Sequence, residues 1–381
     1  MINVISRSYN DLFTYNLFTR LLDNVDYEHE AYYLWTADIQ VFKNFISDTT
    51  FLKPNIVIGI KDLLNLEVEY DFWADIATAG ATLLAGVANK NADKNFIIFT
   101  SLENLKKELD SLGVKNIQVI PWGGDIVNQS DTYPAVLPVI NKNFKSSETF
   151  ISLTRHPRPH RLILLSYLFG TGYNNNGIVT YIGEGSSVTL PTDILDIVPW
   201  NFENHHTDSR QLMIDGYKKF HSNKPSETDN FYIYRRPNDN VTNFNQSLRS
   251  LYQNSFVEIV SESSFASPSY MLTEKTLNSI YGCNFPIILS GIGATAHLRE
   301  IGFDLFDDVV DHSYDQIANP IDRIVSAVER NKRLLLDAEY AKQLWKSNLT
   351  RFENNVALAK NTMYNWYASR ASKQFSQLTW K

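Results

Sequence analysis

Thr273-Glu274-Lys275 stands where a polar loop gives way to a helical pattern, inside the run FVEIVSESSFASPSYMLTEKTLNSIYGCNFPIILS of residues 256–290. The run reads as an apolar strand ending in polar residues, a loop, a helix opening at these three residues, and a second apolar strand over 285–289. A helix start presents unpaired N–H groups and the positive end of its dipole, so an anionic ligand is favoured there. Thr273 is a natural N-cap. Glu274 suits the dipole and offers acceptor oxygens to ribose hydroxyls, and Lys275 offers a positive charge to a diphosphate. A nucleotide-sugar site is one reading; a capped surface helix with solvated Glu and Lys is the other.

A second group is Arg155-His156-Pro157-Arg158-Pro159-His160-Arg161, between a predicted strand and a helix start. Cations there suit a departing diphosphate, whose developing charge most needs stabilising in glycosyl transfer. The competing reading is a solvated basic turn. His156 and His160 have no metal partner in sequence and read as surface or capping groups. His205-His206 lacks the cysteine or carboxylate pattern of a metal site. Ser290-Gly291-Ile292-Gly293, between a strand and a helix, has the form of a truncated phosphate-binding turn or of a cleft wall. Arg235-Arg236 ends another predicted strand, where contact with a base or phosphates is one reading and simple exposure to solvent the other. No Asp-x-Asp pair occurs: Asp239 lacks a partner two residues on, and Asp307-Asp308 with Asp311 has the wrong spacing. Metal ligands are therefore expected to be none.

These segments resemble the alpha-1,3-fucosyltransferase type of glycosyltransferase. Its donor signature is an E-N-S element, a spacer, Y-V-T-E-K at a helix start, an Asn-Ala turn and a Pro-led strand. The matching residues are Glu262-Ser263-Ser264, Tyr270-Met271-Leu272-Thr273-Glu274-Lys275, Asn278-Ser279 and Pro286, with Ser263 in place of the family's Asn. Upstream, Phe150-Ile151-Ser152, the loop 153–160 and Arg161 match the family's strand, loop and helix-opening arginine. The run FDLFDDVVDHSYDQIANPIDRI at 303–324 is similar to glycosyltransferases encoded by bacteriophages. The resemblance spans residues 145–330 and leaves the first 145 uncovered. It implies an inverting, metal-independent transferase with Arg161, Glu262, Ser263, Tyr270, Thr273, Glu274 and Lys275 at the donor; the positive charge of the basic loop adds Arg155 and Arg158 to the donor-binding candidates, with Arg158 facing solvent as the other reading. No cofactor is required, and a nucleotide-diphosphate sugar is the co-substrate. The acceptor would be a glycan, a protein, or a hydroxymethylated base in phage DNA. The family's general base is a carboxylate of the N-terminal domain, for which Asp38, Asp75 and Asp125 are alternatives, although N-capping for Asp38 and Asp75 and a turn for Asp125 are the readings their own positions favour. A different class, a catalytically inactive nucleotide-sugar-binding or structural protein of the same fold, fits the same residues.

The elements that must position these groups alternate. Strands are expected at 2–6, 31–36, 56–60, 96–100 and 117–121, with helices over 12–22, 39–47, 73–88 and 102–112. Gly113 stops the last helix where a residue free to take positive φ is wanted. Residues 123–147, rich in Asn, Ser, Pro and Asp, read as a linker. Alternation resumes with strands near 150–153, 178–182, 231–234, 256–260 and 287–289 and helices over 160–169 and 209–220. From 320 onward the text is helical, with apolar spacing through Trp345, Leu349, Phe352, Val356 and Met363. The expected fold is α/β: two Rossmann-like αβα domains facing across a cleft (GT-B-like) with a helical C-terminal tail. The domains are 1–145 for the acceptor, 146–335 for the donor, and 336–381 as helices packing back on the first.

Composition sets outer bounds. The 381 residues, 44% hydrophobic and 20% charged, suit a globular protein with ample core. A net charge of −7 gives no overall electrostatic footprint for nucleic acid. The single cysteine, Cys283, excludes an intrachain disulfide and reads as a small buried hydrophobe. The most apolar helix, 73–89, is interrupted by Asp75, Thr78 and Thr82, so no membrane anchor is expected. A cytoplasmic location is expected, the host cytoplasm for a phage-encoded enzyme.

Overall fold

The computed structural model describes residues 2–6, 18–23, 29–34, 44–45, 49–60, 76–123, 136–154, 158–181, 193–196, 207–222, 248–265, 270–361 and 363–378. By its internal contacts the chain forms two compact units. One comprises Met1–Asp131, Ser267–Thr273 and Asn361–Lys381, the other Thr132–Ala266 and Glu274–Lys360.

The first unit holds β1 (Ile2–Ser6), β2 (His29–Leu34), β3 (Asn55–Ile60), β4 (Asn95–Thr100) and β5 (Ile117–Pro121), joined in that order and parallel throughout. Parallel neighbours need a crossover, and α1 (Ile76–Lys90) and α2 (Leu105–Ser111) supply two of them. Side chains alternate along a strand, so each sheet face gathers its own core. Ile56, Ile58, Ile60, Phe96 and Ile98 pack with Leu84 and Ala88 of α1 and Leu105 and Leu109 of α2. Tyr33, Val57, Ile97 and Phe99 pack on the other face with Phe18 and Trp122. Gly113 takes φ 77° just past α2, as expected of a residue ending that helix.

The second unit holds β6 (Phe150–Thr154), β7 (Gly177–Tyr181), β8 (Val257–Ser261) and β9 (Phe285–Leu289), all parallel and ordered β7-β6-β8-β9. The chain leaves β6 toward β7 on one side through α3 (Pro159–Thr171) and leaves β8 toward β9 on the other through α5 (Glu274–Gly282). Right-handed crossovers running in opposite directions put α3 and α5 on opposite faces. Their first turns therefore meet at the carboxyl ends of β6 and β8, the switch point where open α/β sheets take ligands. Packed on α3 is α4 (Thr207–Ser222). A Cβ on Gly216 would lie 1.8 Å from the Ser166 carbonyl oxygen, so only glycine permits this approach.

Further helices include α6 (Ala294–Ile301), α7 (Pro320–Arg330), α8 (Ala338–Ser347), α9 (Leu349–Asn361) and α10 (Met363–Ser376), besides the short helices Arg249–Gln253 and Lys332–Leu336. The α7 start is fixed by Asn319, whose side chain accepts from the Ile321 and Asp322 N–H groups, with Pro320 as its first residue. Ala371 and Phe375 of α10 join the Trp122 core of the first unit, and Arg370 pairs with Glu103 at 2.8 Å. Among the described residues no helix is long and apolar enough to cross a membrane. The expected strand at 231–234 lies outside the described residues, as does most of the helices at 12–22 and 39–47. Cys283 is buried, takes φ 51°, and its carbonyl accepts the Trp345 indole N–H at 2.6 Å.

Two ionisable side chains are buried behind α5. Lys142 Nζ donates to the carbonyls of Tyr252 and Gly282 at 2.7 and 2.6 Å, and also to Asn284 Oδ1. Glu258 on β8 accepts from the Tyr252 hydroxyl at 3.0 Å. Burial pushes the Glu258 carboxyl from the ordinary 4.5 up to about 8, against the lowering effect of that hydrogen bond and of Lys142. A raised folded pKa means that Glu258 stabilises fully below about 4.5 and loses that contribution as pH climbs through 8. Glu258→Gln mimics the protonated form. Its stability relative to wild type is expected to rise steadily from pH 4.5 to 8 in urea titrations. A difference independent of pH would contradict the burial argument.

Candidate functional site

The α3 start is set by Arg158 in extended conformation at the N-cap position and Pro159 as the first helical residue. Proline costs nothing there because the first N–H groups have no helical acceptor. The helix thus opens two residues before Arg161. Arg161 is 2% exposed, and its Nη2 donates to the carbonyls of Ser261 and Glu262 at 3.1 and 3.2 Å. These bonds make it a pin on the carboxyl end of β8.

His160 is 4% exposed, which corrects the expectation of a surface or capping group. Its Nε2 lies 2.9 Å from the Glu262 carbonyl, and its ring stacks on Phe265 at 5.2 Å between centroids. A carbonyl only accepts, so Nε2 carries the proton. Burial first, and then the charge of Arg161, hold this imidazole well below the usual histidine range, so it is neutral. The residue was hidden in sequence because a histidine beside two arginines and two prolines has the composition of an exposed turn.

Glu262 is fully buried, and its Oε1 accepts the Thr276 hydroxyl of the first α5 turn at 2.6 Å. A carboxylate at that place complements the helix dipole from below. α5 begins at Glu274, one residue after Thr273, which places Thr273 at the N-cap position as its type implies. Lys275 Nζ lies 3.1 Å from Glu274 Oε1 and 3.5 Å from Ser263 Oγ. Both side chains keep some access to solvent, 23% for Lys275 and 31% for Glu274. Burial alone would raise the Glu274 carboxyl; Lys275, through charge and hydrogen bond, overrides it and holds Glu274 below the ordinary range. Glu274 is therefore a charged acceptor at neutral pH.

One corner of the second unit thus brings together Arg158, Arg161, Glu262, Ser263, Glu274 and Lys275. Tyr270 and Thr273 belong with the first unit. Tyr270 is 3% exposed and exchanges backbone hydrogen bonds with Glu103 at 2.7 and 3.2 Å, so it anchors the segment ahead of α5 through its main chain. Arg155 and the three base candidates, Asp38, Asp75 and Asp125, lie outside the described residues, as do His205, His206, Arg235 and Arg236. Trp122 is wholly buried among Phe18, Tyr33 and Phe99 and is core.

The neighbouring helix start is already occupied. Gly293 N–H and the Thr295 hydroxyl, at the α6 start, both donate to Asp315 Oδ2 at 3.1 and 2.9 Å. An internal carboxylate takes the place a phosphate would need, so the Gly291–Gly293 turn does not serve as the phosphate cradle that its glycines imply. Asp307, Asp308 and Asp311 are likewise engaged by protein cations: Arg299 forks onto Asp307 at 2.8 and 2.5 Å, Arg351 reaches Asp308 at 2.8 Å, and Arg330 lies 3.6 Å from Asp311. Among the described residues no group of three or more His, Cys, Asp or Glu is placed to hold a metal ion.

Sequence reasoning missed Thr276, Phe265, Asp315 and Arg323, which support the corner from behind. Thr276 was within reach, since a hydroxyl in the first helical turn below a buried Glu is a common partner. Asp315 and Arg323 sit on elements remote in sequence and give no local signal.

No family model matches the chain, and no curated protein matches it. Among solved structures it is similar to an α,α-trehalose 6-phosphate synthase from Burkholderia multivorans. The likeness covers 99% of this chain and 83% of that one, at 11% identity and a TM-score of 0.29.

Proposed function

We propose that the chain is a glycosyltransferase of the GT-B kind, transferring a sugar from a nucleotide-diphosphate donor to an acceptor hydroxyl with inversion and without a metal. One observation carries the reading: at the switch point of the second sheet, the α5 start presents a partly exposed Lys275 beside an ionised Glu274 and Ser263. Lys275 supplies the charge for the departing diphosphate, aided by the dipole of α5. Arg158 stands at the opposite helix start, and Arg161 adds positive potential from beneath while fixing β8. Glu274 offers the acceptor that ribose hydroxyls need. Asp315 already fills the α6 start, whereas the α5 start keeps Lys275 partly open to solvent.

The resemblance to alpha-1,3-fucosyltransferases and to phage-encoded transferases fits this chemistry. It extends the proposal to a glycan, a protein or a hydroxymethylated DNA base as acceptor. Incubation with a panel of nucleotide sugars, read by release of nucleoside diphosphate, is the test. Turnover with at least one donor is expected to persist in excess EDTA. Activity lost on chelation and restored by manganese or magnesium would overturn the metal-independent mechanism; donor-dependent stabilisation without turnover would favour an inactive sugar-nucleotide-binding protein.

A further inference from the structure

The loop that follows β8 is held by its carbonyls. Arg161 takes those of Ser261 and Glu262, His160 shares that of Glu262, and Arg323 Nη2 takes that of Phe265 at 2.7 Å. Arg323 belongs to α7, more than 50 residues further along the chain, and is 1% exposed. Its guanidinium carbon lies 4.3 Å from the centroid of the Phe265 ring, the same ring that His160 stacks upon. Phe265 is therefore gripped twice, by its carbonyl and by its ring. Burial raises the Asp315 carboxyl above its ordinary range, against the lowering effect of its hydrogen bonds and of the Arg323 charge, and Asp315 holds Gly293 and Thr295 at the α6 start. Ser263 sits inside the gripped loop, and the Lys275 ammonium lies against its hydroxyl.

We infer that Arg323 is a positioning residue for the donor corner, fixing the 262–265 loop so that Ser263 and Lys275 meet in the arrangement a diphosphate requires. The inference rests on the donor reading above. Arginine is demanded because only a planar guanidinium stacks on a ring and donates in a fixed direction at once; a lysine keeps the charge and loses both constraints.

The test uses the full chain with Arg323→Lys, and Phe265→Leu as a second variant that removes the stacked ring without touching the charge. Hydrogen exchange of the ligand-free proteins is followed by mass spectrometry. Affinity is measured by calorimetry with the nucleoside diphosphates that correspond to the donor panel. Expected for Arg323→Lys, measured at a temperature where the variant stays folded, are exchange about tenfold faster over 262–265 with β8 and β9 unchanged and nucleoside diphosphate bound about tenfold more weakly. Phe265→Leu is expected to shift both readings the same way, and it decides the matter should Arg323→Lys fail to fold. A merely structural arginine would lower melting and leave affinity unchanged. Wild-type exchange over the loop, or wild-type affinity, in a folded variant would overturn the inference. If the wild-type protein binds none of the nucleoside diphosphates, the donor reading fails, and the exchange over 262–265 still shows whether Arg323 fixes the loop.

Discussion

Replacing Lys275 by alanine is expected to weaken binding of the nucleotide-diphosphate donor by about 1.5–3 kcal/mol, roughly ten- to a hundredfold in Kd. The size follows from what is lost. An ammonium against a diphosphate makes charge-assisted hydrogen bonds, and this one is only 23% exposed, so water screens it incompletely. The variant also leaves Glu274 without its partner at 3.1 Å. That carboxylate then faces the diphosphate uncompensated, and the repulsion adds to the loss. Folding should be little affected, because the pair lies at the surface of the first α5 turn and such pairs contribute about 0–1 kcal/mol. Calorimetry on a variant with a wild-type melting curve is the measurement. Donor affinity unchanged within error would remove Lys275 from the site.

The largest stability effect is expected at Lys142→Met, a loss of about 3 kcal/mol or more. Methionine keeps the apolar stem but offers no donor. The carbonyls of Tyr252 and Gly282 and the Asn284 amide oxygen would then be buried with one donor fewer, each at a cost of about 1–3 kcal/mol before relaxation. Tyr252 lies on a different segment from Gly282 and Asn284, so a small shift of one segment does not bring all three acceptors new donors. Burial has already pushed the Lys142 ammonium down to about 7, a sign of how dry the place is. Urea unfolding followed at constant m is the check. A midpoint displaced by less than the equivalent of about 0.5 kcal/mol would show that water replaces the amine.

The sheets were legible because their strands are continuous apolar runs, NIVIGI, NFIIFT and FPIIL among them, as parallel strands covered on both faces must be. The α5 start was legible for a different reason: Thr273, Glu274 and Lys275 each have a positional preference at a helix N-terminus, and the preferences agree. Burial was not. Glu262, His160 and Arg161 are polar and were read as groups available to a ligand or to solvent; all three are buried, His160 and Arg161 on the Ser261 and Glu262 carbonyls and Glu262 under the Thr276 hydroxyl. Whether a polar side chain faces water or a carbonyl depends on which distant segments close over it. The α6 start shows the same limit, since the glycines at 291 and 293 promised a phosphate turn and Asp315, more than 20 residues on, already filled it.

Helix α5 is anchored at both ends before any ligand arrives: Glu262 beneath its first turn, Lys142 on the Gly282 carbonyl, and the Trp345 indole on the next residue. Such a helix is pre-organised. On the proposed function, a donor docking on it would have little ordering entropy left to offset, so a larger share of each contact would appear as affinity. The same rigidity makes the corner unforgiving. A nucleotide whose diphosphate is displaced by an ångström cannot draw the helix toward itself, and discrimination among donors is then expected to reside in how fast each one leaves.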